Sequence, residues 1–369
     1  MLLVLWYHVW EISWKGAPSW LEFVPETGFV GVPLFFFLSG FVITYPFARS
    51  QWGGAAKPSW REFAWRRFIK IFPSYALSIA IAYSIGYAAT QQGAASPLQD
   101  VVVHLLFVHT WFVQSFGSIN GVLWTLAVEV EFYAIFPLLW WCFRRTPWVT
   151  LAAMVAIALI WRNELATCCY HARFASWEEN LPGYVDIFAC GMATCYIYVR
   201  WGSALAQNAR RRAVATLAAI GGFACLWLLL LNLYAFRGHD QWAGVWQIEN
   251  RTLLGMAFGV IALGSLTGSQ WWGRIIANPV LTFFATISYN LYLYHQLIAR
   301  ELLWHHLPPA ATGDPHDDPY WQTAFTWIAI AATTAQAALF TYAFERPLLA
   351  LHGHSRRREA QRSTRNIAG

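Results

Sequence analysis

Four ionisable side chains lie in stretches otherwise fit for hydrocarbon: His8 in LLVLWYHVW, Glu129 and Glu131 in VLWTLAVEVEFYAIFPL, and His295 in ISYNLYLYHQL. A charge at the centre of a bilayer costs roughly 2.5–3.5 kcal/mol by insertion scales, so such residues tend to face a polar interior and to mark a site or a pathway. Histidine is the side chain suited to moving a proton near neutral pH. For His8 the alternative is a hydrogen-bonded core histidine with no chemistry. For His295, near the outer end of its segment, the reading is a structural hydrogen bond to a neighbouring helix. Glu129 and Glu131 are two positions apart and point about 200° from each other on a helix. They cannot share a cavity, which argues against the paired carboxylates of a glycosidase. Glu129 shares its face with Thr125 and Tyr133, a polar stripe, and Glu131 shares its face with Ala127, Val128 and Ile135. Glu129 is therefore the functional candidate, and Glu131 is read as structural, near the outer rim or bonded to another helix.

A second constellation is basic. WREFAWRRFIKIFPSY (60–75) places Arg66, Arg67 and Lys70 on a helix that Pro73 limits or kinks. Clustered arginines recognise phosphates bidentately, while the same cluster also serves as a plain topology signal; composition does not separate the two. The six cysteines (142, 168, 169, 190, 195 and 225) form no CxxC pair, and neither a disulfide framework nor a metal site is expected. His316 with Asp317 and Asp318 falls in an irregular loop, read as solvated.

These residues must be held by membrane-spanning elements. Of 369 residues, 57% are hydrophobic and 12% charged, with mean hydropathy +0.39, against about a quarter charged in soluble domains. Apolar segments fall at 1–10, 29–47, 71–89, 121–143, 147–161, 184–199, 213–235, 252–269, 279–299 and 321–343. A span needs about 20 residues. Residues 101–113 are read as interfacial or re-entrant, since an eleventh span would invert everything after it. The fold expected is an all-α polytopic membrane protein of about ten transmembrane helices with both termini cytoplasmic. On that topology all but six of the 25 lysines and arginines lie on the inner side, the exceptions being Lys15, Arg162, Arg173, Arg237, Arg251 and Arg300. The net charge of +6 thus marks one side of a membrane and not a nucleic-acid partner. Residues 350–369 form a basic cytoplasmic tail. Tryptophans in the outer loops (10, 14, 20, 177, 242 and 246) are read as interfacial anchors, with stacking on sugars as the alternative. The first segment supplies about 15 Å of helix; either it enters obliquely or the start codon is assigned too late, and the second is favoured.

In order along the chain, Tyr7-His8, GFVGVPLFFFLSGFVI (28–43), WRRFIKIFPSY (65–75), LWTLAVEVEFYAIFPL (123–138), ISYNLYLYHQ (287–296) and FERPL (344–348) resemble the acyltransferase-3 family of integral membrane acyltransferases. The resemblance covers residues 1–349. It implies transfer of an acyl group, acetyl first, from acyl-CoA as co-substrate, with no bound cofactor. The acceptor implied is a sugar hydroxyl of polysaccharide, lipopolysaccharide, glycolipid or a related molecule, and the location a bacterial inner membrane. His8 matches the family's essential histidine, and Glu129 the first acid of a WSLxxE-type motif in which Thr125 replaces the usual serine. Arg66, Arg67 and Lys70 match basic positions thought to lie near the donor's phosphates. Ser39 and Gly40 match an SGF motif, read as close helix packing because no base lies near in sequence. Tyr133 and His295 complete the supporting polar set. The resemblance implies that His8 takes the hydroxyl proton as the oxygen attacks the thioester, with Glu129 orienting the ring. The family's arginine eleven residues before the histidine would fall before Met1. The competing function class is a proton-coupled transporter or flippase of a lipid-linked sugar, which would use His and Glu as relay residues.

Overall fold

The computed structural model describes residues 1–86, 96–168, 177–237, 242–311 and 313–350. The basic tail, Cys169 and Arg173 lie outside the described residues. Among the described residues there are helices and turns and no strand. In chain order the helices are α1 (Leu2–Ser13), α2 (Phe23–Glu26), α3 (Gly31–Trp52), α4 (Trp60–Ser84), α5 (Pro97–Leu105), α6 (Trp124–Phe143) and α7 (Pro147–Cys168). They continue as α8 (Leu181–Leu205), α9 (Ala209–Arg237), α10 (Trp242–Thr267), α11 (Gln270–Ile276), α12 (Pro279–Trp304) and α13 (Pro319–Phe340), which runs into a π turn, Thr341–Glu345. Each expected apolar segment carries a helix. Among the described residues, five helical segments are long and apolar enough to cross a membrane: Gly28–Trp52, Trp124–Phe143, Pro147–Leu165, Ala209–Arg237 and Pro319–Ala350. The chain is an integral membrane protein. Its outward-facing side chains are strongly apolar, with Leu138, Trp148, Leu217, Leu228 and Trp327 all exposed; a surface of that kind is at home against lipid tails.

One expectation changes. Pro73 does not end its helix, since α4 runs unbroken from Trp60 to Ser84. Its start is fixed by Ser59, whose hydroxyl accepts the Glu62 amide at 3.4 Å, the usual way of satisfying an orphan donor in the first turn. The 101–113 segment gives only the nine-residue α5 and a short 3-10 turn, His109–Trp111.

The helices form two groups. In the first, α8 is the hub, packed against α3, α7 and α10, with α9 along α10. Small residues permit this closeness: a β-carbon at Gly40 would overlap the Phe188 carbonyl oxygen, and one at Gly191 the Phe37 carbonyl oxygen. In the second group α1 and α13 flank α12, and Leu5, Val9, Ile12, Ile287, Leu291, Phe325 and Ala329 form its core. The candidate residues gather along the seam between the groups, where α4 and α6 also run.

Buried ion pairs lock the first group. Arg162 of α7 grips Asp186 of α8 with two hydrogen bonds, 3.1 and 2.9 Å, and both side chains are fully buried. Arg251 of α10 reaches Glu178 at 3.1 Å and Gln247 at 2.7 Å, and its guanidinium lies 3.9 Å above the Tyr184 ring. Both guanidiniums donate to the Gly183 carbonyl, at 2.7 and 3.0 Å, and Thr252 donates to Asp186 at 2.6 Å. The positive-inside pattern assigns Arg162 and Arg251 only to the outer side and gives no hint of these partners. Trp246 is likewise no surface anchor, being buried and bonded to Asn232 at 2.9 Å. Removing one member of a buried pair leaves a bare charge, at a cost of about 3–5 kcal/mol. Asp186→Ala is therefore expected to destabilise the protein by about that amount, read as a lower unfolding temperature in detergent, whereas substituting the exposed Trp327 with Leu leaves it unchanged.

Candidate active site

His8 sits in the second half of α1, whose rigid placement follows from Val4, Leu5, Val9 and Ile12 being buried. Gly28 crosses α1 so closely that a β-carbon there would overlap the Leu3 carbonyl oxygen. The His8 ring is held on its Nδ1 side. Glu11, one turn further along the same helix, places Oε2 2.9 Å from Nδ1, and the Gln296 amide nitrogen lies 3.4 Å from the same atom. His295 faces His8 with ring centroids 4.9 Å apart. Its own Nδ1 is 2.7 Å from the Tyr292 carbonyl, so the expected bond to a neighbouring helix is instead a bond within α12. Its Nε2 is buried without a protein partner.

Glu129 lies in a different place. Its Oε1 accepts from the Ser39 hydroxyl at 2.6 Å and from the Tyr133 hydroxyl. A base does therefore stand beside Ser39, although it is far away in sequence. The expectation that Glu129 orients the His8 ring is not met: the carboxylate on His8 is Glu11, because i and i+3 positions meet on a helix. Glu129 lines a cavity of about 230 Å³ together with Ser39, Arg67, Thr125, Tyr289 and Tyr292, and neither His8 nor His295 is among its walls. Thr125 and Tyr292 line the same cavity, their hydroxyl oxygens 2.9 Å apart. Glu131 points away, as expected, and accepts the Trp111 indole N–H at 2.6 Å.

The three cations part company. Arg66 is exposed and paired with Glu62 one turn back. Arg67 enters the Glu129 cavity, its guanidinium 5.5 Å from the Tyr133 ring. Lys70 forms an ion pair with Glu345 of the π turn, which also accepts from Asn290 at 2.9 Å. Helical phase turns Arg67 about 100° from Arg66, whereas Arg66 and Lys70, four positions apart, share a face and differ in the partner each meets, Glu62 and Glu345. Arg67 and Tyr133 also border a second, apolar cavity of about 240 Å³ between α4 and α6. His316, in the loop read as solvated, packs on the end of α1, with its Nε2 3.1 Å from the Ile12 carbonyl, while Asp318 caps α13.

The structure thus holds a carboxylate-paired histidine in one polar cluster and a glutamate with an arginine in a separate cavity. A family model described as "Acyltransferase domain" matches residues 1–343. The chain belongs to this acyltransferase family. The acyltransferase is 22% identical over 312 residues to the peptidoglycan O-acetyltransferase OatA of Listeria monocytogenes, a match covering 80% of the chain and 47% of that protein. It is 24% identical over 290 residues to the O-acetyltransferase OatA of Staphylococcus aureus, covering 73% and 45%. To the acyltransferase MdmB of Streptomyces mycarofaciens it is 31% identical over 176 residues, covering 43% and 40%. The matches thus span less than half the length of these curated relatives. No solved structure matches the chain.

Sequence reading alone does not single out Glu11, Gln296, Glu345 or Asn290. Glu11 carries one local signal, its i+3 spacing from His8, while Asn290, Gln296 and Glu345 lie within the motifs ISYNLYLYHQ and FERPL, which give no role to them individually. Charge reversal tests the contact between Lys70 and Glu345. Lys70→Glu alone is expected to lower the yield of folded protein several-fold, and adding Glu345→Lys to restore most of it, as measured by size exclusion in detergent.

Proposed function

We propose that this acyltransferase moves an acyl group, acetyl first, from acyl-CoA to a hydroxyl of a sugar in a cell-surface polysaccharide, glycolipid or related acceptor, with His8 as general base. The observation that carries the reading is the setting of His8: a half-buried imidazole inside a membrane domain, with one nitrogen engaged by a carboxylate 2.9 Å away and the other left to work. The acceptor's proton passes to the His8 Nε2, and the oxygen attacks the acyl carbonyl. The carbon–sulfur bond breaks, and the imidazolium returns its proton to the thiolate, so that free CoA leaves. General-base assistance of this kind contributes about 10²–10⁴-fold.

The donor belongs at the other end of the site. Arg67 enters the Glu129 cavity, and Arg66 beside it holds only an exposed, weakly stabilising pair with Glu62. We assign both to the phosphates of acyl-CoA, and Lys70, occupied by Glu345, to anchoring α4. Glu129, gripped by Ser39 and Tyr133, forms the polar wall along which the donor's thioester arm lies. The reading includes about ten spans with both termini cytoplasmic, in a bacterial inner membrane. That topology sets Arg66 and Arg67 beside the cytoplasmic acyl-CoA pool and the Glu11 end of α1 toward the far side. The test is transfer of labelled acetyl from acetyl-CoA by membranes expressing the chain, with host polysaccharide and glycolipid fractions as acceptors. His8→Ala is expected to lower transfer by about 10²–10⁴-fold with unchanged behaviour on size exclusion. Full transfer by that variant would overturn the reading.

A further inference from the structure

We propose that Glu11 is the positioning residue of the reaction, the carboxylate that fixes the His8 ring and holds its protonated form; the inference rests on His8 acting as the base. Four observations carry it. First, Glu11 Oε2 lies 2.9 Å from His8 Nδ1, and the Gln296 amide approaches that nitrogen only to 3.4 Å. Glu11 is thus the stronger partner, because a charge-assisted hydrogen bond of this length is about twice as strong as a neutral one. Second, both residues ride on one helix, three positions apart, and α1 is pinned against α12 and α13, so their relative geometry needs no other element to set it. Third, a carboxylate on Nδ1 makes that nitrogen the proton-bearing one and leaves Nε2 as the acceptor of a proton, the arrangement a general base requires. Fourth, Glu129, the carboxylate that the sequence motif offers for this task, is spoken for by Ser39 and Tyr133 in a separate cavity.

The groups around the pair are consistent with an anion kept in place. From α1 itself, Tyr7 stands one turn before Glu11, with its ring edge-on to His8 at a centroid distance of 4.8 Å. From the end of α9, Arg237 lies 5.5 Å from the Tyr7 ring and 5.2 Å from the Trp10 ring, and it is balanced in part by Glu26 at 3.9 Å. From α12 come His295 and Gln296. Glu11 is the only anion in direct contact with His8 among the described residues. When the ring takes the acceptor's proton, the new positive charge forms against this carboxylate, and when the proton moves on to the leaving thiolate, the pair returns to its starting state. Glu11 side-chain exposure is 38%, so water screens part of the attraction, and the effect is smaller than that of a fully buried triad acid, whose amide replacement costs about 10⁴-fold.

The experiment compares Glu11→Gln, Glu11→Asp and His8→Ala in the labelled-acetyl assay, with kcat and KM for acetyl-CoA measured across pH. Glu11→Gln keeps a hydrogen-bond acceptor but loses the charge. Its kcat is expected to fall by about 10–100-fold, below the triad limit because of screening, with KM within about two-fold. The acid limb of its kcat profile is expected to move to lower pH, because a ring without its anion protonates less readily. Glu11→Asp is expected to keep the wild-type pH profile at a reduced rate. A carboxylate that merely held α1 would leave the profile of the folded fraction unmoved. If Glu11→Gln matches wild type in kcat and profile while His8→Ala is inactive, this inference alone falls; an active His8→Ala removes the reading beneath it.

Discussion

An ionised side chain taken out of water must be met by the protein or it unfolds the protein. That constraint decides which helices are neighbours here. Arg162 with Asp186 ties α7 to α8, and Arg251 with Glu178 ties α10 to the start of α8. Lys70 with Glu345 fastens α4 to the end of the chain's last described helix. Apolar contact alone would not select these partners, because lipid tails offer the same contact on every side. Gly40 and Gly191 then let α3 and α8 close to backbone contact, and the part of the bundle left open is the seam that holds the candidate site.

The seam is divided. On one side His8, Glu11, His295 and Gln296 form a cluster between α1 and α12. On the other, Ser39, Glu129, Tyr133 and Arg67 gather around a cavity. Thr125 and Tyr292, bonded to each other, belong to the walls of that cavity. The two clusters differ in chemistry, one built on imidazoles, an amide and a carboxylate, the other on a carboxylate, hydroxyls and a guanidinium.

Much of this is legible in the sequence. Apolar length locates the helices, and the 100° step per residue separates Glu129 from Glu131 correctly: Tyr133, one turn on from Glu129, does bond it, while Glu131 turns to Trp111. The order of motifs is sufficient to name the family. Partners distant along the chain are beyond such reading. Nothing local joins Lys70 to Glu345, 275 positions apart, or Ser39 to Glu129, 90 apart. Grouping Arg66, Arg67 and Lys70 by charge type fails for a different reason: Arg67 is turned into the cavity, while Arg66 and Lys70 share a face but meet different carboxylates, Glu62 and Glu345. Pro73 reads as a helix limit only when the helix is taken in isolation, and α4 passes through it. Glu11 is available from its spacing to His8, but the motif around Glu129 is the louder signal, and Glu129 bonds Ser39 and Tyr133 instead of the His8 ring.

The π turn at Thr341–Glu345 makes the length of the chain there a structural quantity. A π turn holds more residues than an α turn, so it rotates the succeeding residues relative to α13. Thr341 at its start and Glu345 at its end both accept from the Asn290 amide, each at 2.9 Å, and Glu345 also pairs with Lys70. Chemistry at the neighbouring positions is loosely specified, since Tyr342 and Ala343 are exposed. Their number is not. Losing one residue would let the helix relax to regular geometry and swing a buried carboxylate toward lipid, so this stretch tolerates changes of letter far better than changes of count.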